Sequence, residues 1–149
     1  MKGALMIITF IGHSSLNIDT ELSNKIKETI QNNIKKDIPV HFYCGGYGDF
    51  DQHCVSVCQQ LKDQNLKCEI VFITPYITPC QQKKLNNLLE TNRYDSIIYP
   101  PIESVPPRFA IPKRNEWMIE KSDLIIAYVS QKFGGAYKSL EYARRKKKK

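Results

Sequence analysis

Apolar residues follow two alternating patterns along the chain: short unbroken runs, and longer stretches that repeat every three to four residues. The runs are rich in β-branched and aromatic residues and end near glycine or proline, which is typical of buried strands. The longer stretches place apolar side chains on one face, as Leu22, Ile26 and Ile30 do, which predicts amphipathic helices. The five predicted strands are ALMIITFIG, PVHFYCGG, CEIVFITP, SIIYP and DLIIAYV.

The alternation of strands and helices predicts the fold class. Strands that are apolar throughout are buried on both faces, so we expect a mainly parallel sheet with helices on both sides. Right-handed crossovers then give an α/β fold, a Rossmann-like three-layer sandwich. We predict a single Rossmann-like domain over residues 1–143 and a disordered basic tail over residues 144–149.

The net charge of +7 is concentrated in the last six residues, RRKKKK. Without them, 16 basic residues remain against 15 acidic ones, so the body of the domain is close to neutral. That balance argues against a nucleic-acid partner. A solvated, frayed terminus is the favoured interpretation of the tail, with a weak polyanion contact as the alternative.

The other totals restrict the compartment and the cofactors. No apolar run approaches the roughly 20 residues of a membrane span, so we expect no membrane partner. The five cysteines are odd in number, and the first apolar run lacks the small-residue cleavage site of a signal peptide, which together favour the cytoplasm and free thiols. Cys54 and Cys58 have metal-ligand spacing, but a second pair is missing, so we predict buried thiols, no metal and no disulfide.

Three glycine-bearing turns are predicted at one edge of the sheet, where the carboxyl ends of parallel strands bind ligands. Gly12 ends the first strand, Gly45 and Gly46 follow the second, and Gly134 and Gly135 open the last helix. Glycine lets backbone amides approach a ligand, and a helix start directs those amides outward, which favours a phosphate. None of the turns matches the standard dinucleotide or P-loop motifs, so we predict no cofactor.

Further candidate ligand residues follow the predicted strands. His13 and Ser14 come after the first, and His13 is either a general acid or base or a partner of the turn's backbone. Tyr47 and Tyr76 follow the second and third strands, where their rings can pack on a nucleobase or only on the rim of the site.

At these residues the sequence resembles a known group of proteins. The segments TFIGHSS, FYCGGYGDFD, IIYPPIESVPPRFAIPKRNEWMIEKSDLIIAYV and GGAYKSLEYA together are similar to the SLOG superfamily, named after the Smf/DprA and Lonely Guy proteins. The similarity is to its small, single-domain bacterial and phage members. It implies a Rossmann-like fold, a nucleotide or nucleotide-derived signal as ligand, and a homodimer or higher homo-oligomer.

The resemblance also implies roles for individual residues. Lonely Guy enzymes carry R-K-x-x-M and P-G-G-x-G-T-x-x-E, and Arg114, Gly134, Gly135 and Glu141 hold the corresponding spacings. By resemblance, Arg114 meets the ligand, and the glycine pair with Ala136 forms the phosphate turn. Pro112 and Lys113 place Arg114 in the first turn of its helix, and Lys138, which departs from the motif, can supply a cation to the phosphate.

Two functions are therefore expected from different classes. Tyr137 and Lys138 replace the glycine and threonine of the second motif, which favours a sensor or sequestering protein that binds a nucleotide derivative. The alternative is a Lonely Guy-like phosphoribohydrolase, which cleaves the N-glycosidic bond of a nucleoside 5′-monophosphate. In that case Glu141 stabilises the transition state and Arg114 orients it.

Overall fold

The computed structural model describes residues 5–12, 20–35, 37–45, 48–129 and 134–146. It contains five strands, β1 (Met6–Gly12), β2 (Val40–Cys44), β3 (Cys68–Ile73), β4 (Ser96–Ile98) and β5 (Leu124–Tyr128). The helices are α1 (Thr20–Asn33), α2 (Asp49–Asp63), α3 (Pro79–Glu90), α4 (Ala110–Lys121) and α5 (Gly135–Arg145), and a short 3₁₀ helix at Pro107–Phe109 precedes α4. The five predicted strands are confirmed, as is the predicted helix that carries Leu22, Ile26 and Ile30.

The strands form one parallel sheet in the order β4-β3-β2-β1-β5. Its register aligns Ile8 of β1 with Phe42 of β2 and with Leu124 of β5. The first four strands step in one direction, and β5 then returns to the free side of β1. The strand order therefore reverses between β1 and β5, which is the kind of position where open α/β sheets bind ligands.

Helices cover both faces of the sheet, as the apolar strands predicted. Ile30 of α1, Cys58 of α2 and Leu85 of α3 belong to one large core cluster on the first face. Met118 of α4 packs on the other face, where Ala143 of α5 joins a third cluster. The fold is thus a Rossmann-like three-layer sandwich.

Two helix boundaries differ from the expected ones. α4 begins at Ala110, before Pro112. Proline is tolerated in the first turn of a helix because the N–H groups of that turn have no intrahelical acceptor. Arg114 therefore lies in the second turn of α4, and its placement in the first turn was wrong. α5 continues through Arg145, so Arg144 and Arg145 belong to the helix rather than to the tail.

All five cysteines are free thiols, and Cys44, Cys54 and Cys58 are buried. The predicted burial of Cys54 and Cys58 is confirmed, and that burial raises the pKa of both thiols well above the ordinary value. Within the described ranges, no group of three or more histidine, cysteine or acidic side chains is arranged to hold a metal ion. No helix in the same ranges is long and apolar enough to cross a membrane.

Gly12 is required by packing, and this generates the first prediction. A Cβ at Gly12 would lie 2.2 Å from Cγ of Phe50, whose side chain is fully buried at the start of α2. We expect Gly12→Ala to lower the free energy of unfolding by about 1–3 kcal/mol, because the overpacked core must shift. Gly135→Ala is the matched control, since a Cβ there meets no atom of the described residues within 4 Å. Equal denaturant midpoints for the two variants would contradict the prediction.

Candidate functional site

The carboxyl ends of all five strands lie at one edge of the molecule, because the sheet is parallel throughout. Gly12 ends β1, Gly45 follows β2, and Gly134 precedes α5, the helix that follows β5. Three of the glycine positions proposed from the sequence therefore share this edge. Gly46, Tyr47, His13 and Ser14 lie outside the described residues.

Arg114 reaches this edge from α4 and is buried, with 2% of its surface exposed. Its Nη1 donates to the carbonyl oxygens of Gly45 and Ile73, at 2.8 and 2.7 Å. Its Nε donates to Oδ1 of Asn115 at 2.9 Å. The guanidinium thus ties α4 to the ends of β2 and β3.

A carboxylate shares the space around Gly45 with this guanidinium. A Cβ at Gly45 would lie 3.1 Å from Oδ2 of Asp51 and 3.3 Å from Cζ of Arg114, so glycine permits the close approach of all three groups. The charge of Asp51 extends into the core as well. The pKa of the Cys44 thiol is raised first by burial and then by Asp51. Asp51 therefore supplies negative charge beside a buried cation.

A groove of about 470 Å³ runs between α4 and α5. The two helices are parallel, because Pro112 and Gly135, near their starts, line the same groove and the Tyr142 phenol donates to Glu120 further along. Both helices therefore begin at the carboxyl edge of the sheet. The groove is lined by Ile111, Pro112, Asn115, Glu116, Gly135, Tyr137, Lys138, Ser139, Glu141, Tyr142 and Arg145.

The charges along the groove are unequally compensated. Glu116 accepts from Lys113 at 3.5 Å, and Glu141 accepts from Arg144 at 2.8 Å. Lys138 forms no ion pair with any residue that the structure describes. The start of α4 continues the 3₁₀ helix, because the Ala110 N–H donates to the Pro107 carbonyl and Pro112 has no N–H. At the start of α5, no described side chain caps the helix, so its dipole and Lys138 make this end of the groove positive.

The structure distributes the predicted site residues over two regions. Gly135, Lys138 and Glu141 come together in the groove. Arg114 and Gly45 lie behind it, at the ends of β2 and β3. The ring of Phe50 occupies the space beside Gly12. Two further predicted residues make other contacts: the Tyr76 phenol donates to the Pro107 carbonyl at 3.3 Å, and Ala136 packs against the cluster that contains Ile11.

A second cavity, of about 370 Å³, lies on the other face between α1 and β5. Its wall includes Phe50 and Tyr128, whose rings stack with centroids 6.2 Å apart. Its charged rim, Glu21 and Lys25, forms an exposed ion pair. None of the predicted ligand residues that the structure describes lines this cavity, and the starts of α4 and α5 lie elsewhere. The groove between α4 and α5 is therefore the stronger candidate.

Reasoning from sequence missed several residues of the groove, above all Asn115, Tyr142 and Arg145. Helical spacing carried a signal for part of it, because Lys138, Tyr142 and Arg145 recur at intervals of four and three residues on one face of α5. Comparison of the chain with known proteins found no matching family model and no matching curated protein. The chemistry of the groove therefore carries the functional argument.

The buried guanidinium leads to a prediction about stability. Arg114→Ala leaves the carbonyls of Gly45 and Ile73 without their donor, so we expect the free energy of unfolding to fall by about 2–4 kcal/mol. Arg108→Ala is the matched control, because Arg108 is exposed and stacks only on the Phe109 ring in the contacts observed here. Urea unfolding of both variants measures the difference. An ordinary surface substitution changes stability by about 0.5 kcal/mol or less. A loss no larger than that in Arg114→Ala would refute the structural role.

The contact between the two helices has a measurable pH signature. The hydrogen bond to Glu120 raises the pKa of Tyr142 to about 12, above the ordinary tyrosine value of about 10. Because the folded-state pKa is the higher one, the stabilisation is present below about pH 10 and is lost as the pH rises through about 12. We expect Glu120→Ala to return the Tyr142 pKa toward 10, measured by NMR of the ring carbon bearing the hydroxyl. A Tyr142 titration that is the same in Glu120→Ala as in the wild type would disprove the contact. Glu103→Ala, at an exposed residue, is the control and should leave the Tyr142 pKa unchanged.

Proposed function

We propose that this protein binds a nucleotide or a nucleotide-derived signal molecule in the groove between α4 and α5, as a sensor or a sequestering protein. One observation carries the proposal: the start of α5 at Gly134 and Gly135 lies at the carboxyl edge of the sheet, and Lys138, which has no ion pair among the described residues, lines the same groove of about 470 Å³.

The phosphate end of the ligand is assigned to the start of α5. Gly134 has a φ of 90°, a backbone conformation that favours glycine, and no described side chain caps the helix there. Gly135 is exposed at the first position of the helix, where the first amides have no intrahelical partner and can donate to an anion. Lys138 lines the same groove and adds a full positive charge. Amides and a cation around one point favour phosphate over a neutral group.

The remainder of the groove suits a nucleoside in size and chemistry. Its volume lies in the range of about 300–1,000 Å³ that small-molecule sites occupy. Tyr137 and Tyr142 supply aromatic surface, and Ile111 and Pro112 supply apolar surface on the opposite wall. Ser139 and Glu116 can accept hydrogen bonds from sugar hydroxyls. A base and a ribose therefore find partners beyond the phosphate.

Hydrolysis of the ligand is the second candidate, because Glu141 lines the same groove. Its carboxylate accepts from Arg144 at 2.8 Å, and a carboxylate beside the sugar can stabilise an oxocarbenium-like transition state. Chromatography for free base after incubation with each nucleoside 5′-monophosphate separates the two functions. We expect the nucleotides to be recovered intact.

Membership of the SLOG superfamily and homo-oligomerisation in the cytoplasm belong to the same proposal. The parallel Rossmann-like sheet is the fold that the resemblance implies, and free, largely buried thiols suit a reducing compartment. Sedimentation velocity at several protein concentrations tests the oligomeric state. A single monomeric species at all concentrations would contradict the proposed homo-oligomer.

Calorimetric titration with the four nucleoside 5′-monophosphates tests the proposed function. We expect at least one to bind, and Lys138→Ala to weaken its affinity about ten- to a hundredfold, because a charge-assisted contact contributes roughly 1.5–3 kcal/mol. Lys84→Ala is the matched control, since Lys84 is exposed on α3, on the other face of the sheet. Binding that is equal in wild type and Lys138→Ala would move the ligand out of the groove, and binding of none of the four would contradict a nucleoside monophosphate ligand.

A further inference from the structure

Asn115 stands between the buried Arg114 and the open groove. Arg114 donates from Nε to Oδ1 of Asn115 at 2.9 Å, and Asn115 is itself part of the groove wall. Arg114 is held in place from the other side by the carbonyls of Gly45 and Ile73. The position of the Asn115 carboxamide is therefore determined by a buried, rigidly bound guanidinium.

The chemistry of this contact fixes which way the carboxamide faces. A guanidinium has five N–H donors and no acceptor, so only the oxygen of an asparagine side chain can bond to it. The two ends of a planar carboxamide point in different directions, and the Nδ2 group therefore faces away from Arg114. Because Asn115 lines the groove, its two N–H donors are the polar atoms that it offers to a ligand.

Asn115 lies at the same level of the groove as Lys138. Glu120 and Tyr142 are in contact, Asn115 precedes Glu120 by five residues, and Lys138 precedes Tyr142 by four. At 1.5 Å per residue, both lie roughly 6–7.5 Å nearer the starts of their parallel helices than that contact. The Asn115 donors and the Lys138 cation therefore flank the same section of the groove, next to the first amides of α5.

We propose that Asn115 is a ligand-binding residue that donates from Nδ2 to an oxygen of the ligand's anionic group, and that Arg114 is a positioning residue that acts through Asn115. This inference rests on the proposed function for the location of the ligand. It differs from the role that the sequence resemblance implies for Arg114, because the arginine orients the contact without making it.

Asn115→Asp separates the two roles of the side chain. Aspartate keeps the size of asparagine and the acceptor for Arg114, but it presents a carboxylate oxygen to the groove in place of two donors. A residue that only supports Arg114 tolerates this change, whereas a donor to an anion does not. Asn86→Asp is the matched control, because Asn86 is exposed on α3 and gives the same change in net charge.

The test is an NMR titration of the full chain with inorganic phosphate, followed by calorimetry with the nucleoside 5′-monophosphates. The Asn115 side-chain amide is assigned by its absence from the Asn115→Asp spectrum. We expect this resonance to shift with phosphate in the wild type, together with the backbone amide of Gly135. We expect Asn115→Asp to bind the nucleotide about ten- to a hundredfold more weakly than the wild type. Its unfolding midpoint should equal that of Asn86→Asp.

The possible failures are distinguishable. If Gly135 shifts and nucleotide binding needs Lys138, but Asn115→Asp binds as the wild type does, the inference about Asn115 is overturned and the proposed function stands. If neither Gly135 nor Asn115 responds to phosphate or to any of the four nucleotides, both are overturned. If Asn115→Asp loses its stability as well as binding, Arg114→Lys decides. Lysine keeps the positive charge but cannot bond Asn115 and both carbonyls in the fixed geometry of a guanidinium. Weaker binding in a variant that is still folded at the titration temperature therefore supports positioning, and unchanged binding refutes it.

Discussion

The buried guanidinium of Arg114 is the contact on which the arrangement of this edge depends. It donates to the carbonyls at the ends of β2 and β3 from a helix that leads to β5, on the far side of the sheet. A charged group with 2% exposure is costly to bury unless hydrogen bonds and an opposite charge compensate it. The two carbonyls supply the bonds and Asp51, beside Gly45, supplies the charge, so the position of α4 is tightly constrained.

The position of α4 in turn determines the groove. α5 packs along α4 in parallel, joined by the contact of Tyr142 with Glu120, so both helix starts reach the carboxyl edge. Surface ion pairs contribute only about 0–1 kcal/mol, and the pairs of Glu116 and Glu141 serve mainly to neutralise the acids of the groove. The dipole at the start of α5 and Lys138 then add positive charge to this end of the groove. The anion preference that we propose is thus a consequence of how α4 and α5 are held.

The fold was predictable from the sequence because each buried strand is an unbroken apolar run and each helix has one apolar face. The candidate edge was predictable for the same reason, since parallel strands bring their carboxyl ends together. The role of Arg114 was not, because motif spacing cannot show whether a guanidinium faces solvent or the ends of two distant strands. Gly12 was predicted to bind a ligand because glycine lets backbone amides approach closely. In the structure, the Phe50 ring occupies the space that a side chain at this position would need. Asn115 enters the site through the register between α4 and α5, which is a tertiary property.

The most direct test of the central claim is the position of a phosphate in a crystal grown with the nucleoside 5′-monophosphate that binds most tightly. We predict difference density for the phosphate within hydrogen-bonding distance of the Gly135 amide, between the starts of α4 and α5, with Arg114 still bonded to Gly45 and Ile73. Density on the other face instead, in the cavity beside Phe50 and Tyr128, would contradict it.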